Sequence, residues 1–375
     1  KKMVDTLIFS DNQGIKADIL QKIFKPYLLF PIDQNLDKIG NNLVTKYSFF
    51  YESPEYELGL INEDTLAALI NFNPVFKSHY AGMVATDNFN NNLRVNGQFN
   101  LRLENYFKGA EYFELFWSRI DSNSQQIKFE GLSPHPLGLG MGVFIRYDYE
   151  LFMGLFTKVE QKFRLRSNSR LFTDIGAGFV RGFNQPTNRG LQLGYNRLDF
   201  YAYTMHISRD LTNKKFLPDR GSELSFDLDS GLDEEDYFVN GKFHYERFHS
   251  INRSFFFHYQ FDFEGIKYFN SSVPKTRYKW YGGASSLRGY NEDLFKSTQY
   301  QISSLSFCFK PYERFQIKLF TDIGSDRINL YAGGKLGYGF GLAQVNQNSF
   351  VVVEYGLSDR YFSNGKLHLK WIATL

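Results

Sequence analysis

Residues 282–290 read GGASSLRGY, and the residue among them with chemistry to offer is Arg288. It stands between Leu287 and the pair Gly289-Tyr290, behind Gly282 and Gly283. The setting is the longest polar break of the C-terminal half, from about Asn270 to Lys296. Arginine never loses its charge, and its five donors form a rigid fork. In a loop that can fold back into a polar cavity, such a side chain is a latch in search of a carboxylate. Other reactive patterns are thin. GASSL (Gly283–Leu287) lacks the second glycine of a G-x-S-x-G nucleophile elbow. His244 and His249 flank a strand end without a third metal-binding partner. No catalytic set, metal site or cofactor is expected.

The elements that would position Arg288 follow from hydropathy patterning. The chain has 375 residues, room for one large domain and a small one. Mean hydropathy is −0.38, a soluble value, yet 18% of residues are aromatic. No apolar run is long enough for a transmembrane helix. A β-barrel escapes hydropathy scans, because every second residue faces a polar lumen. A net charge of +3 does not suggest nucleic acid as a partner. The one cysteine, Cys308, excludes an internal disulfide and a cysteine-based zinc cluster.

From about Lys77 onward the sequence alternates with period two. Lys158, Glu160, Lys162, Arg164 and Arg166 point one way, against Thr157, Val159, Phe163 and Leu165. Only a strand places five charges on one face in this manner. The alternation recurs in sixteen segments, with cores near 77–87, 92–105, 110–121, 125–131, 139–149, 153–166, 169–182, 197–209, 222–230, 236–249, 254–268, 297–310, 314–323, 331–342, 349–356 and 365–374. A soluble sandwich or propeller would share the alternation. Three features favour a sixteen-stranded antiparallel transmembrane barrel. Apolar faces are rich in large residues, such as Leu305, Phe307 and Phe309, or Phe255 and Phe257. Several strands exceed the usual five or six residues. Charges gather on the opposing faces, where Cys308 also sits with Ser306 and Lys310. The acidic run Asp229, Asp233, Glu234, Glu235, Asp236 reads as a solvated turn rather than a cation site.

The first 75 residues differ. Met3–Ser10 reads as a strand, and Asp11-Asn12-Gln13-Gly14 as a turn. Ile19, Leu20, Ile23 and Phe24 form a helical stripe. After a break at Pro31-Ile32-Asp33, with Asp33 as N-cap, Leu36, Ile39, Leu43 and Tyr47 line a second helix. Tyr56–Leu60 and Thr65–Phe72 read as strands. The order β-α-α-β-β predicts two helices on a three-stranded sheet, in a domain of residues 1–75 before a barrel of residues 76–375.

This arrangement resembles one POTRA domain followed by the bacterial surface antigen barrel of the BamA/TamA superfamily of outer-membrane assembly factors. LRGY (Leu287–Tyr290) resembles the family's RGF/RGY signature in the long loop between the eleventh and twelfth barrel strands. PDRG (Pro218–Gly221) resembles a Pro-x-x-Gly turn entering a mid-barrel strand, in which Pro218 and Gly221 supply a fixed and a positive φ for a tight periplasmic turn. LFTDIG (Leu319–Gly324) resembles the family's hydrophobic-Asp-x-Gly strand, whose aspartate meets the loop arginine inside the barrel. Gln316, Lys318, Phe320 and Asp322 share the polar face, so the resemblance implies an Arg288–Asp322 contact. Much of the family adds a glutamate from the strand after the loop. Ser304-Leu305-Ser306-Phe307 stands there instead, so one carboxylate is expected rather than two. The chain ends in WIATL, with Trp371 as the aromatic of a C-terminal signal. LFTDIG recurs at Leu171–Gly176, followed by VRGF at Val180–Phe183, which lies too early for the loop motif and is expected to be a strand end and turn.

The resemblance implies insertion or translocation of other proteins at the bacterial outer membrane, without enzymatic activity, and with the POTRA domain in the periplasm. The implied partners are outer-membrane lipids and lipopolysaccharide, unfolded client proteins or a dedicated secreted partner, and periplasmic accessory proteins. The mechanism it implies is edge chemistry: weak pairing between the first strand (Lys77–Asn88) and the last (Gly365–Leu375), helped by Gly82 and Gly365, would let a client strand add on. Two other readings stay open. One is a transporter for a single partner, as in two-partner secretion, for which more than one POTRA and a plug helix are expected. The other is the barrel anchor of an upstream patatin-like lipase. The chain begins at Lys1 without a signal-peptide h-region and reads as a mature product, a trimmed form or the C-terminal part of something longer.

Overall fold

The computed structural model describes residues 3–11, 13–29, 37–47, 49–76, 78–89, 92–121, 123–167, 172–214, 216–234, 236–284, 286–327 and 333–374. Expectations for Asn12, Pro31, Ile32, Asp33, Leu36, Lys77, Leu171, Glu235, Ser285 and Leu375 lie outside the described residues.

At the N-terminus, β1 (Thr6–Phe9), β2 (Glu55–Leu60) and β3 (Leu66–Asn71) form a sheet ordered β1-β3-β2. Strand β1 runs parallel to β3, and β2 antiparallel to it. Helix α1 (Ala17–Phe24) buries the expected stripe of Ile19, Leu20, Ile23 and Phe24. A short helix α2 (Pro26–Leu29), not anticipated, follows before α3 (Asp37–Lys46). Tyr27 of α2 is fully buried and packs on Phe24 and Tyr56, which accounts for the extra turn. Ile39, Leu43 and Tyr47 join the same core.

The rest of the chain is a closed antiparallel barrel of sixteen strands. They are β4 (His79–Phe89), β5 (Asn92–Glu104), β6 (Tyr112–Asp121), β7 (Ser124–Ser133), β8 (Gly142–Phe152), β9 (Phe156–Ser167), β10 (Asp174–Pro186), β11 (Leu198–Asp210), β12 (Gly221–Asp233), β13 (Asp236–Ser250) and β14 (Phe255–Tyr268). A small hairpin, β15 (Lys279–Tyr281) and β16 (Phe295–Ser297), interrupts the wall. The barrel resumes with β17 (Gln299–Tyr312), β18 (Phe315–Ser325), β19 (Lys335–Val345), β20 (Ser349–Leu357) and β21 (Lys366–Thr374). Each of the sixteen expected segments overlaps one barrel strand, with bounds displaced by up to about five residues. Period-two alternation carries the architecture. Phe179, Tyr203, Leu305, Leu319 and Leu369 are exposed on the outer face, while lumen charges pair across strands. Lys162 Nζ lies 3.1 Å from Asp229, and Arg164 lies 2.6 Å from Asp227. Among the described residues no helix is long and apolar enough to cross a membrane, and the strands do the crossing.

Closure of the barrel is uneven. Strands β20 and β21 share eight register pairs, and β4 and β5 share eleven. Among the described residues the first and last strands share two, Ala373 with Tyr80 and Thr374 with His79. The N-terminal unit packs against the barrel end where β4 begins. Lys16 N donates to Lys108 O of the β5–β6 turn at 2.8 Å, and Tyr47 Oη sits 2.9 Å from His135 Nε2 of the β7–β8 turn.

Three local expectations need correction. Val180–Phe183 lie inside β10 and form neither a strand end nor a turn. Arg181 is exposed on the face opposite Asp174 and reaches over the Tyr201 ring at 5.2 Å. The acidic run is not one solvated turn: Asp229 is buried in β12 against Lys162, and Asp233 accepts from Tyr268 Oη at 2.7 Å. His244 and His249 are no pair, because five positions along a strand put them on opposite faces.

Candidate functional site

The connection between β14 and β17 spans residues 269–298 and folds into the lumen. Several anchors hold it. Arg277, buried, stacks over Phe200 at 3.8 Å and Phe238 at 4.5 Å. Trp280 packs on Phe152 at 4.7 Å. Lys279 Nζ meets Glu264 at 2.8 Å. Beyond β15 the chain turns on Gly282 and Gly283, with φ of +123° and +94°. That conformation disfavours side chains, so the paired glycines set the reversal. The tip is stitched by Gly282 N to Ser286 Oγ at 2.7 Å and Gly283 N to Leu287 O at 3.0 Å.

This tip delivers Arg288 to a buried polar cluster. Arg288 Nε donates to Asp322 Oδ2 at 2.8 Å, and Nη2 donates to Oδ1 at 2.6 Å. The pair is bidentate, the geometry in which arginine binds carboxylates best. The Arg288 backbone N–H adds a third bond to Asp322 Oδ2 at 3.2 Å. Nη2 also donates to Ser304 Oγ at 2.8 Å, and Ser304 Oγ donates to Asp322 Oδ1 at 2.6 Å. Nη1 reaches Glu354 Oε1 at 3.3 Å, and Lys318 bonds the same carboxylate. The guanidinium plane lies 3.6 Å over the Phe320 ring. Asp322 is entirely buried. Burial strips water from both charges, which makes an excellent geometry obligatory.

The expectation of a single carboxylate is therefore overturned. Ser304 does occupy the twelfth barrel strand and binds the arginine as a neutral acceptor. The second carboxylate comes from Glu354 on β20, two strands beyond Asp322. In the sequence, Glu354 stands out as one charge closing the run VVVE; linking it to Arg288 requires the barrel register. Sequence reasoning also misses Gly337 and Gly356. A Cβ on Gly337 would lie 2.1 Å from Arg288 O, and one on Gly356 would lie 2.6 Å from Gly289 N. The visible signal is Gly337, Gly339 and Gly341 at every second position of one strand.

The other expected residues lie partly beside this cluster and partly elsewhere in the barrel. Leu287 is fully buried among Tyr281 and Ile302, and its Cδ2 lies 3.0 Å from where a Gly324 Cβ would be. The Asp-x-Gly pattern thus has two jobs on one face: Asp322 takes Arg288, and Gly324 leaves space for Leu287. Gly289 has φ of +92°. Tyr290 Oη donates to Leu336 O at 3.2 Å. Pro218 lies in the β11–β12 connection, and Gly221 opens β12 with the expected positive φ, +106°. That connection, residues 211–220, is longer than the tight turn expected. Asp219 in it binds Lys310 and accepts from Asn213 Nδ2 at 2.8 Å. Phe216 reaches Phe350 at 5.2 Å and His79 at 6.4 Å, so this turn touches strands beside the seam. Gly365 makes room for the Tyr355 ring, since a Cβ there would come within 2.1 Å of it. The second LFTDIG copy supplies Asp174, buried in the lumen and paired with Arg166 and with His206 Nε2 at 3.1 Å.

A closed sixteen-stranded antiparallel barrel, apolar outside and charged inside, defines a bacterial outer-membrane barrel. The Omp85 superfamily domain matches residues 113–344, more than half of the chain, and the protein belongs to that superfamily. Similar structures cover 100% of this chain. BamA from Haemophilus ducreyi lacking POTRA domains 1–3 superposes with a TM-score of 0.60 at 11% identity, over 84% of that chain. CdiB from Acinetobacter baumannii gives 0.65 at 12% identity over 74% of its chain. CdiB from Escherichia coli gives 0.63 at 14% over 76%. At such identities the likeness is one of fold. No curated protein matches the sequence.

Proposed function

We propose that this protein inserts or translocates other polypeptides at the outer membrane by opening its barrel between β4 and β21. The observation that carries this reading is the seam, which among the described residues has two register pairs, in a wall whose adjacent strands share eight and eleven. A sheet exposes unpaired N–H and C=O groups wherever an edge is free. An opened seam offers two such edges, onto which a client strand can add by backbone hydrogen bonding. Tyr80 and Trp371 meet edge to face at 5.8 Å across the seam and clasp the closed state.

The N-terminal unit, residues 1–75, serves in this reading as a POTRA-like periplasmic domain. Its strand β2 is an exposed edge, suited to receiving extended clients or accessory proteins. Arg288, with Asp322, Ser304 and Glu354, latches the loop so that the lumen keeps its shape while the seam moves. The clients are unfolded outer-membrane proteins, and the surrounding partners are outer-membrane lipids and lipopolysaccharide. No step requires bond chemistry, so the protein acts without catalysis.

Deleting the gene and restoring it on a plasmid tests the reading through the outer-membrane protein profile. Loss of several barrel proteins in the deletion supports insertion. Loss of one secreted protein alone would assign translocation of a dedicated partner. An unaltered outer-membrane and secreted profile would overturn both.

A further inference from the structure

We propose that the periplasmic half of the barrel wall carries a binding site for a divalent transition-metal cation, built from Glu223, His244, Glu246 and His258 on β12, β13 and β14. The register creates it. Glu223 and Glu246 are direct partners across β12 and β13. Like charges directly opposite destabilise a sheet. Among the described residues, no lysine or arginine forms an ion pair with either glutamate; the partners of Glu246 are His244 and His258. One ligand atom from each of Glu223, His244 and Glu246 can be chosen so that all lie within 4.8 Å of one another.

The histidines are oriented as ligands. Asp262 Oδ1 sits 2.7 Å from His244 Nδ1, and Gln260 Nε2 donates to the other oxygen, Asp262 Oδ2, at 2.6 Å. A carboxylate on Nδ1 fixes the proton there and turns the Nε2 lone pair toward the glutamates, the arrangement that supports metal-bound histidines. His258 Nε2 is buried and has no hydrogen-bond partner. The Phe248 ring stacks on the His258 imidazole at 4.3 Å and 6°, which fixes its plane. His244 Nε2 lies 3.6 Å from Glu246 Oε1, and His258 Nε2 lies 3.7 Å from Glu246 Oε2. These separations are long for hydrogen bonds. They approach the about 3.3–3.4 Å that separates two ligands at opposite corners of a tetrahedron with bonds of about 2.0–2.1 Å to zinc.

Two imidazoles and two carboxylates select zinc-like cations over magnesium or calcium, which prefer oxygen alone. Glu223, Glu246 and His258 line the lumen cavity of about 1820 Å³, so a cation has an open path. Bound there, it neutralises the abutting glutamates and pins three neighbouring strands.

The test is calorimetric titration of tag-free, chelator-washed protein in detergent with zinc sulfate, with heat-modifiable gel mobility as the folding check. Wild type is expected to take up one zinc ion per chain, undisturbed by millimolar magnesium. Glu223→Gln and His244→Ala should each weaken zinc binding by at least about tenfold, and Asp262→Asn, which leaves all four ligands in place, by about 10–100-fold. Absence of zinc binding by wild type would overturn the site. So would unchanged affinity in folded Asp262→Asn, which decides the matter even where a ligand variant fails to fold. Displacement of zinc by magnesium would contradict the ligand chemistry.

Discussion

The carbonyl oxygen of Arg288 fills the space above Gly337, 2.1 Å from the point where a Cβ would stand. Strand β19 has no side chain at this position, and its partner across β18 is Asp322. The loop therefore lies directly on the backbone of the wall, at the level where its arginine finds its carboxylate. Arg288 is held from two sides, by charge through its side chain and by shape through its peptide.

Gly337→Ala should evict the loop without touching any charge. The obstructing atom is backbone, which has little freedom to move aside. Hydrogen exchange of residues 286–290 should accelerate strongly in this variant. Gly241→Ala, where a Cβ meets nothing within 4 Å, should leave exchange at wild-type rates.

Arg288→Ala should lower barrel stability by about 3–5 kcal/mol, because it strands a fully buried Asp322 carboxylate. The double variant Arg288→Ala/Asp322→Ala should lose less than the two single losses added, since it leaves no orphaned charge. Arg288→Lys should recover part of this loss, for a lysine keeps a positive charge beside Asp322 but has no fork to span both carboxylate oxygens. Denaturant midpoints read from heat-modifiable gel mobility give all these values. Equal stability of wild type and Arg288→Ala would remove the latch.

Ser304→Ala and Glu354→Gln should be milder, at about 1–2 kcal/mol each. The Glu354 contact is 3.3 Å, longer than either side-chain bond to Asp322. A loss in Glu354→Gln matching that of Arg288→Ala would show that the β20 carboxylate, rather than Asp322, holds the loop.

The N-terminal unit should loosen from the barrel in mild acid. His135, in the β7–β8 turn outside the membrane, is buried against Tyr47, and burial holds its pKa below the usual 6.5. A depressed folded-state pKa means that the detached state binds more protons. The docking contribution is therefore complete above the ordinary histidine pKa, and it is lost as pH falls through the lower, docked value. Protection of the amides in residues 134–141, corrected for the intrinsic pH dependence of exchange, should fall below about pH 6 and stay level above about pH 7. His135→Phe should abolish this dependence.

Strand parity alone makes the barrel legible in the sequence. Lys158 to Arg166 reveal a lumen face because charge tolerates one side of a membrane wall alone. The same parity locates Asp322 on the polar face. It also contains the answer for Arg181, which alternates out of phase with Asp174, although its Val-Arg-Gly-Phe lettering suggests a turn. What parity cannot supply is which positions on different strands lie level. Glu354 reaches Arg288 through the stagger of β18, β19 and β20, and Glu223 faces Glu246 through the stagger of β12 and β13. Glycines are harder still. Gly337 and Gly356 matter for the space they leave, and an absent side chain has no hydropathy to read.

The seam is the most exposed part of the account, and a covalent lock tests it. Tyr80 and Ala373 are register partners across β4 and β21. In a Cys308→Ser background, Tyr80→Cys with Ala373→Cys can close the seam under oxidation and release it under reductant. Outer-membrane protein content should then be compared among the deletion strain, wild type and the locked variant. If the seam opens, the oxidised variant matches the deletion and reduction restores the wild-type profile. A locked barrel that sustains the wild-type profile would contradict lateral opening.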